Sequence, residues 1–304
     1  MTDSSLLRDY IGNNSFLWND FLRNELLSDD VISFLVSVMH LSGKTASESV
    51  LVFLASLRYI SNDYTIASGF GKSLEIKPFL SGNYDELIRL CCTKKVQANF
   101  PERGLPVMEM ISLQKPLKDV FVIELGASYG LIGKLLLNMP DIITKTNNYF
   151  TDKQQFPVSW LSISSYLGIE LDPPDEKWLL ACTPDDQHLI RLKQFIEDYR
   201  NTENFLLLKG SAFDLEDIIA ENKIDCLKVT PIILTSFMTY QLSKSQNDEL
   251  ESVINSFCLK YDGVWLDQMV RIASAGHDDA YFIRKDGIAY VKLDSDRCEN
   301  WEFL

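Results

Sequence analysis

The segment that most constrains the fold of this chain is residues 121–137, FVIELGASYGLIGKLLL. An apolar run typical of a buried strand leads into a turn with Gly126 and Gly130, and an apolar helical pattern follows at once. Glycine supplies the backbone freedom that a tight strand-to-helix turn requires. Such a turn directs several backbone N–H groups and the positive end of a helix dipole into one small space. The segment therefore predicts a binding site for a polar small molecule at the end of a strand.

The first hundred residues have the period of helices. Apolar residues recur at intervals of three and four, as in residues 50–57, so residues 1–95 are predicted to form four or five helices. Thr45 with Glu48 has the pattern of a capping box, and Asn83 with Glu86 is an asparagine-led variant of it. Gly43 is the predicted end of the helix that precedes Thr45.

After residue 100 short apolar strands alternate with helices, and this order predicts a mostly parallel sheet with helices on both faces. A hairpin over residues 280–284 and 288–293, turned at Asp286-Gly287, closes the chain as antiparallel strands. The predicted fold class is thus α/β, with a helical region over 1–95 and a sheet domain over 96–304. The parallel strands are predicted at residues 120–125, 166–171, 205–209, 231–235 and 263–267.

The composition of the chain limits the classes of binding partner that we expect. The formal net charge of −14 over 304 residues repels polyanions, so nucleic acid and anionic membrane surfaces are not expected partners. No apolar run reaches the roughly 18 residues of a membrane span. The amino terminus lacks the pattern of a signal peptide, and the six cysteines form no Cys-x-x-Cys pair and no metal-ligand spacing with histidine. We therefore expect a cytoplasmic protein with reduced thiols and without a bound metal.

The turn after the first strand contains a motif that is similar to one in a known protein family. Glu-x-Gly-x-Ser-x-Gly over residues 124–130 resembles the first motif of class I S-adenosylmethionine-dependent methyltransferases, a Rossmann-like family. The resemblance implies that Glu124 faces the amino acid moiety of the cofactor. It implies that Gly126, Ala127, Ser128 and Gly130 form the loop around that moiety. Ser128 stands where the family has its middle glycine.

The second segment of resemblance is Tyr-Leu-Gly-Ile-Glu-Leu-Asp-Pro, residues 166–173. It is similar to the second strand of the family, which ends in an acid that accepts hydrogen bonds from both ribose hydroxyls. This implies that Glu170, with Leu171 beside it, binds the cofactor; a carboxylate suits the role because it only accepts hydrogen bonds and takes two donors at once. Forty residues separate Gly130 from Glu170, against about 20 in related dinucleotide folds. The excess predicts an insertion at about residues 141–165.

The third segment, residues 205–215, resembles the strand and loop that hold the adenine ring in the same family. The resemblance implies cofactor contacts for Ser211, Ala212 and Phe213. The family commonly has an acid at the position of Ser211, and a serine oxygen accepts more weakly. Phe213 offers an apolar face to the ring.

The resemblance extends beyond the cofactor fold. Four parts of the chain are together similar to a bacterial family of unassigned reaction. They are residues 96–99 with Arg103, the turn at 124–130, residues 168–173, and a helical segment at 178–195 with Pro184. That family joins a helical amino-terminal region to a methyltransferase-like domain. The chain departs from it at Ala98 and Phe100, where we expect a threonine and an acid.

The resemblance implies methyl transfer from S-adenosylmethionine to a small molecule that the sequence does not identify. Ser236 and Tyr240 follow the fourth strand, where this family binds its acceptor, and are candidate catalytic residues. Asn99 and Arg103, with Gln97, precede the first strand and are further candidates, and a guanidinium suits a carboxylate or phosphate. The sequence does not indicate the oligomeric state.

Two alternatives stay open. Gly-x-Ser-x-Gly is also the pattern of a nucleophile elbow, in which Ser128 would be the nucleophile of a serine hydrolase and His277 its base. Asp225, Asp248 or Asp267 would be the third member. The helical character of the first hundred residues speaks against this reading, because an elbow normally follows several strands. The second alternative is a protein that keeps the fold and acts as a non-catalytic interaction or regulatory module.

Overall fold

A computed structural model describes residues 2–13, 20–64, 75–97, 99–114, 116, 118–183, 185–239, 242–268, 281–285, 288–294 and 298–304. The chain divides into two compact units. One consists of Met1–Asn99 and Pro174–Lys193, and the other of Phe100–Pro173 and Gln194–Leu304. Among the residues described, no helix has the length and apolar character needed to cross a membrane.

The elements follow the predicted order, helices first and then strands alternating with helices. The helices are α1 (Asp3–Asn13), α2 (Asp20–Leu26), α3 (Asp29–Ser42), α4 (Ala46–Ser61), α5 (Ile76–Gly82), α6 (Tyr84–Thr93), α7 (Gly104–Leu113), α8 (Leu131–Leu137), α9 (Met139–Thr144), α10 (Thr146–Tyr149), α11 (Glu176–Ala181), α12 (Asp186–Asp198), α13 (Leu215–Glu221) and α14 (Lys244–Tyr261). The strands are β1 (Val120–Leu125), β2 (Ile163–Glu170), β3 (Phe205–Lys209), β4 (Thr230–Ser236), β5 (Val264–Gln268), β6 (Tyr281–Lys285), β7 (Ile288–Leu293) and β8 (Trp301–Phe303).

The first unit is built from helices around an apolar core. The described part of residues 1–95 holds six helices, where the sequence predicted four or five. The difference arises because α2 and α5 have seven residues each, about two turns, which is shorter than the roughly 11 residues over which helical periodicity is recognised. Val50, Phe53, Leu54 and Leu57, which form the pattern at intervals of three and four, are buried, as an amphipathic helix requires. Trp178 and Cys182 belong to the same core.

Two of the three predicted helix-end signals are confirmed. Thr45 accepts from the Glu48 backbone N–H, and the Glu48 side chain accepts from the Thr45 N–H, which makes a complete capping box. Gly43 ends α3 in the left-handed conformation, with φ 70°. Asn83 is the N-cap residue of α6, as predicted, but its side chain makes no capping hydrogen bond; its amide donates to the Phe79 carbonyl oxygen of the preceding helix, at 2.9 Å.

The second unit contains one eight-stranded sheet in the order β3-β2-β1-β4-β5-β6-β7-β8. Strands β1 to β5 pair in parallel and β6 to β8 pair antiparallel. This confirms the predicted α/β class, a mostly parallel sheet compatible with a Rossmann-like fold and an antiparallel carboxyl-terminal hairpin. β2 begins three residues before its predicted start, and the three-residue β8 was not predicted. The Asp286-Gly287 turn lies outside the described residues.

The register of the parallel strands assigns their side chains to two faces. Phe121, Ile123 and Leu125 lie on one face and pack in a core with residues of α13 and α14. Glu124 lies on the opposite face with Tyr166, because Val122 pairs with Tyr166 and Glu124 with Gly168. We call this second surface the α8 face, since Gly133 of α8 lies directly against the Tyr166 ring.

The predicted insertion, residues 141–165, contains most of α9, all of α10, a connecting segment and the start of β2. The connecting segment binds the end of the chain. The Gln155 N–H donates to the Glu299 carbonyl oxygen at 2.8 Å, and the Trp301 N–H donates to Gln155 Oε1 at 2.9 Å. The insertion therefore covers part of β8, an edge strand of the sheet.

Candidate functional site

The turn after β1 has the backbone geometry that its glycines predict. Gly126 and Gly130 have φ 74°, and Ser128 between them has φ 52°. The Gly126 and Ala127 N–H groups donate to the Ile169 carbonyl oxygen at 2.9 and 3.3 Å, which ties the turn to the end of β2. A Cβ atom at Gly130 would lie 2.5 Å from the Phe205 ring. Both the positive φ and the close contact with this ring therefore require a glycine at position 130.

Glu170 lies beside this turn at the carboxyl end of β2. Its Oε2 accepts from the Ser128 N–H at 2.8 Å, and its Oε1 lies 3.5 Å from the Asp172 N–H. The side chain is half-buried. A carboxylate offers about four acceptor positions, so Glu170 keeps capacity for a ligand while it holds the turn. The structure thus brings together the first two predicted segments, which lie forty residues apart in sequence.

Glu124 is buried at the end of β1, on the α8 face. The Tyr166 hydroxyl donates to its Oε2 at 2.5 Å. The pKa of Glu124 is raised to about 8: burial, the largest cause, and the charge of Glu170 raise it, while the Tyr166 hydrogen bond and the charge of Arg103 lower it. Sequence reasoning missed Tyr166 as a site residue, although it has the right spacing to share a face with Glu170.

The third predicted segment consists of β3, the neighbour of β2, and the loop after it. Ser211 Oγ accepts from the Phe213 N–H at 3.2 Å and so begins the short 3-10 helix Ala212–Asp214. The Gly210 N–H donates to the Glu170 carbonyl oxygen at 3.0 Å, which places this loop next to Glu170 along the sheet edge. Ser211, Ala212 and Phe213 are half-buried, whereas Leu171 is 66% exposed.

Ser236 and Arg103 belong to one polar network at the end of β4. Ser236 Oγ donates to Gln268 Oε1 at 2.8 Å, and Gln268 Nε2 donates to the Arg103 carbonyl oxygen at 2.7 Å. The Arg103 guanidinium lies 3.9 Å from the centroid of the Phe237 ring. Ser236 shares the α8 face with Glu124, since Glu124 pairs with Leu234 two residues earlier. The sequence did not indicate Gln268, because its partner Ser236 is 32 residues away.

Asn99 and Gln97 lie in the first unit, where their contacts are structural. Asn99 is buried, its side-chain amide donates to Thr183 Oγ1 at 2.7 Å, and its carbonyl oxygen lies 2.8 Å from Nε2 of His188. The Gln97 N–H donates to Cys182 Sγ at 3.5 Å. These bonds hold the end of the first segment of this unit to its second segment.

No model of a known protein family matches the sequence, and no curated protein does so either. The resemblance found in the motifs therefore rests on the residues of those motifs alone.

Several predicted residues fall outside the range that the structure describes, namely Tyr240, His277, Ala98 and Pro184. Their assigned roles stay predictions. The three aspartates proposed as partners of His277 are all described. Asp225 forms an ion pair with Lys228 at 2.9 Å, and Asp248 is exposed.

Asp267 is the third of these aspartates and is buried at the end of β5. Its Oδ1 accepts from Thr235 Oγ1 at 2.8 Å, and Arg284 donates to its Oδ2 at 2.9 Å. Burial raises the pKa of Asp267, against the lowering effect of Thr235 and Arg284. Thr235 and Asp267 pair in register, on the face opposite to Ser236 and Gln268. The end of the sheet therefore carries a separate polar network on each face.

Proposed function

We propose that this protein binds S-adenosylmethionine at the carboxyl ends of β1, β2 and β3 and transfers its methyl group to a small molecule. One observation carries the proposal: the 2.8 Å hydrogen bond from the Ser128 N–H to Glu170. Through this bond the glycine turn after β1 and the acid at the end of β2 lie in direct contact. Ligands of open α/β sheets bind at the carboxyl ends of the strands near the point where the strand order reverses, which here lies between β1 and β4.

The residues at this edge suit the chemical groups of the cofactor. Glu170 has acceptor capacity for the ribose hydroxyls, and Glu124 is an acid placed for the ammonium group. Phe213 offers an apolar surface for adenine beside the Ser211 hydroxyl. When bound, the cofactor supplies a methyl group on a positively charged sulfur. The role of the chain is to bind and orient both reactants.

The acceptor is proposed to bind near the end of β4. Ser236 is held by Gln268, which suits an orienting role. The guanidinium of Arg103 lies against Phe237, the residue after Ser236, and its positive charge favours an acceptor with a carboxylate or phosphate group. Roles for Asn99 and Tyr240 stay predictions. The net charge of −14 supports a small-molecule acceptor over nucleic acid or an anionic membrane, and the proposed location is the cytoplasm.

Titration calorimetry with S-adenosylmethionine and S-adenosylhomocysteine tests the proposal. We expect micromolar binding by the native protein and about tenfold weaker binding by Glu170→Gln, which keeps an acceptor for the Ser128 N–H but loses the charge. Glu251→Gln, which alters an exposed carboxylate on α14, is the control and should bind normally. If the native protein binds neither nucleoside, the proposal is wrong.

A serine hydrolase is the second candidate, and one observation favours it. Ser128 has φ 52°, a conformation that is uncommon for a residue with a side chain and that occurs at strained functional turns. A fluorophosphonate probe separates the two candidates. Labelling that disappears in Ser128→Ala, without nucleoside binding, would establish the hydrolase. Nucleoside binding without labelling supports the cofactor site, and a lack of methyl transfer to any acceptor would then favour the non-catalytic module.

A further inference from the structure

Tyr166 and Glu124 form a buried pair across two neighbouring strands. The hydroxyl donates to the carboxyl at 2.5 Å, although Tyr166 pairs in register with Val122, two residues before Glu124. The phenol therefore reaches along the sheet toward its carboxyl edge. Gly168 leaves room for it, because a Cβ atom there would lie 3.1 Å from the Tyr166 oxygen.

Packing, in addition to this hydrogen bond, fixes the direction of the phenol. The Tyr166 ring stacks on Phe205 with centroids 5.1 Å apart and an interplanar angle of 8°. Gly133 of α8 also lies against the ring, and a Cβ atom at that glycine would lie 2.3 Å from the ring. The side chain is thus locked by its surroundings, and its hydroxyl is aimed at Glu124.

Three groups besides burial determine the charge of Glu124. Glu170 on β2 opposes ionisation, while the Tyr166 hydroxyl and the Arg103 guanidinium favour it. Lys134 of α8 is engaged elsewhere, since its Nζ donates to the Tyr199 carbonyl oxygen at 2.9 Å. With a pKa of about 8, the carboxyl is mostly protonated at pH 7, and a cation placed beside it would favour the ionised form.

This inference rests on the proposed function. We infer that Tyr166 is a positioning residue that holds Glu124 for the ammonium group of S-adenosylmethionine, and that binding of this group releases the Glu124 proton to solvent. The O–H bond of the carboxyl breaks, the proton leaves, and the carboxylate pairs with the ammonium group. The Tyr166 hydroxyl donates to the carboxyl oxygen in both states.

The number of protons released is measured by calorimetry of S-adenosylmethionine binding at pH 7 in phosphate and in Tris, whose ionisation enthalpies differ. We expect the native protein to release close to one proton at pH 7. Glu124→Gln should release none. Circular dichroism of each variant confirms that it is folded.

Tyr166→Phe tests the positioning role. The variant keeps the stacked ring and loses the hydroxyl, so Glu124 becomes harder to ionise. We expect affinity at pH 7 to fall about tenfold and the pH of highest affinity to rise. Tyr199→Phe is the control, since it removes a hydroxyl that donates to Asp141 at 2.9 Å, and its pH profile should match that of the native protein.

The outcomes separate this inference from the proposed function. Binding without proton release at pH 7 overturns the inference and leaves the cofactor site in place. A pH profile of Tyr166→Phe equal to the native one overturns the positioning role. If the native protein does not bind the cofactor, the proposed function and this inference both fail. The proton counts of the native protein and of Glu124→Gln test the release of the Glu124 proton even if Tyr166→Phe does not fold.

Discussion

Glu124 should make the stability of this protein depend on pH, whether or not a ligand binds. The carboxyl is 3% exposed, and its pKa is about 8 in the folded protein against 4.5 for the ordinary group. The native state therefore holds this proton to higher pH than the unfolded chain does. Its contribution to stability is fully present below pH 4.5 and is lost as the pH rises toward and through 8.

The size of the effect follows from these two values. Between pH 6 and 8 the unfolded chain is already ionised at this group, while the native protein still binds most of one proton. Each pH unit then costs at most about 1.4 kcal/mol, so the free energy of unfolding falls by about 2 kcal/mol over this interval. Glu124→Gln has no proton to lose and still accepts the Tyr166 hydrogen bond.

Urea unfolding of the native protein and Glu124→Gln, followed by tryptophan fluorescence at pH 6, 7 and 8, measures the difference. All other titrating groups are common to both proteins, so only the change in their difference with pH matters. We expect the variant to gain about 2 kcal/mol relative to the native protein from pH 6 to 8. Parallel pH dependences of the two proteins would refute the raised pKa of Glu124.

Two further predictions concern packing. Gly130→Ala should cost about 2–4 kcal/mol in free energy of unfolding, because it combines φ 74° with a contact against the Phe205 ring. Gly43→Ala has a similar φ but open space around it and should cost only about 1 kcal/mol, so equal losses in urea unfolding would show that the ring contact is unimportant. Trp301→Phe removes the bond from the indole N–H to buried Glu109 at 2.8 Å. We expect a loss of about 1–3 kcal/mol, and a loss under about 0.5 kcal/mol in thermal unfolding would contradict this.

The elements that could be predicted from sequence are those whose causes are local. The capping box at Thr45 and the end of α3 at Gly43 depend on residues within one helical turn, and both are confirmed. The strand at β1 and the turn after it follow from an apolar run and two glycines. At Asn83 the helix begins where the sequence predicts, but the side-chain amide bonds to the preceding helix and no capping box forms, which the spacing alone does not reveal.

Short elements were harder to predict. β8 has only three residues, and its position at the sheet edge is secured by pairing with β7 and by Gln155 of the insertion. The pattern of three residues does not distinguish a strand from a loop. Such an element exists because distant segments supply its hydrogen bonds.

In the candidate site, too, the features with local causes could be predicted from sequence and the long-range contacts could not. Residues of the three motif segments could be chosen from sequence, and the parallel order of β1, β2 and β3 predicts that their ends share one edge. The hydrogen-bond partners of the candidate site residues could not be predicted from sequence. The Tyr166–Glu124 bond joins positions 42 residues apart, and the Asn99–Thr183 bond joins positions 84 residues apart.

The sequence by itself determined the order of helices and strands, the α/β class and the glycine turn, because helical period, strand period and turn conformation are properties of neighbouring residues. Only the tertiary structure decided that Glu124 is buried against a phenol, that Glu170 holds the turn at Ser128, and that Ser236 is bound to Gln268. Protonation and hydrogen bonding depend on which groups meet in space, and strands adjacent in the sheet are separated by whole helices along the chain.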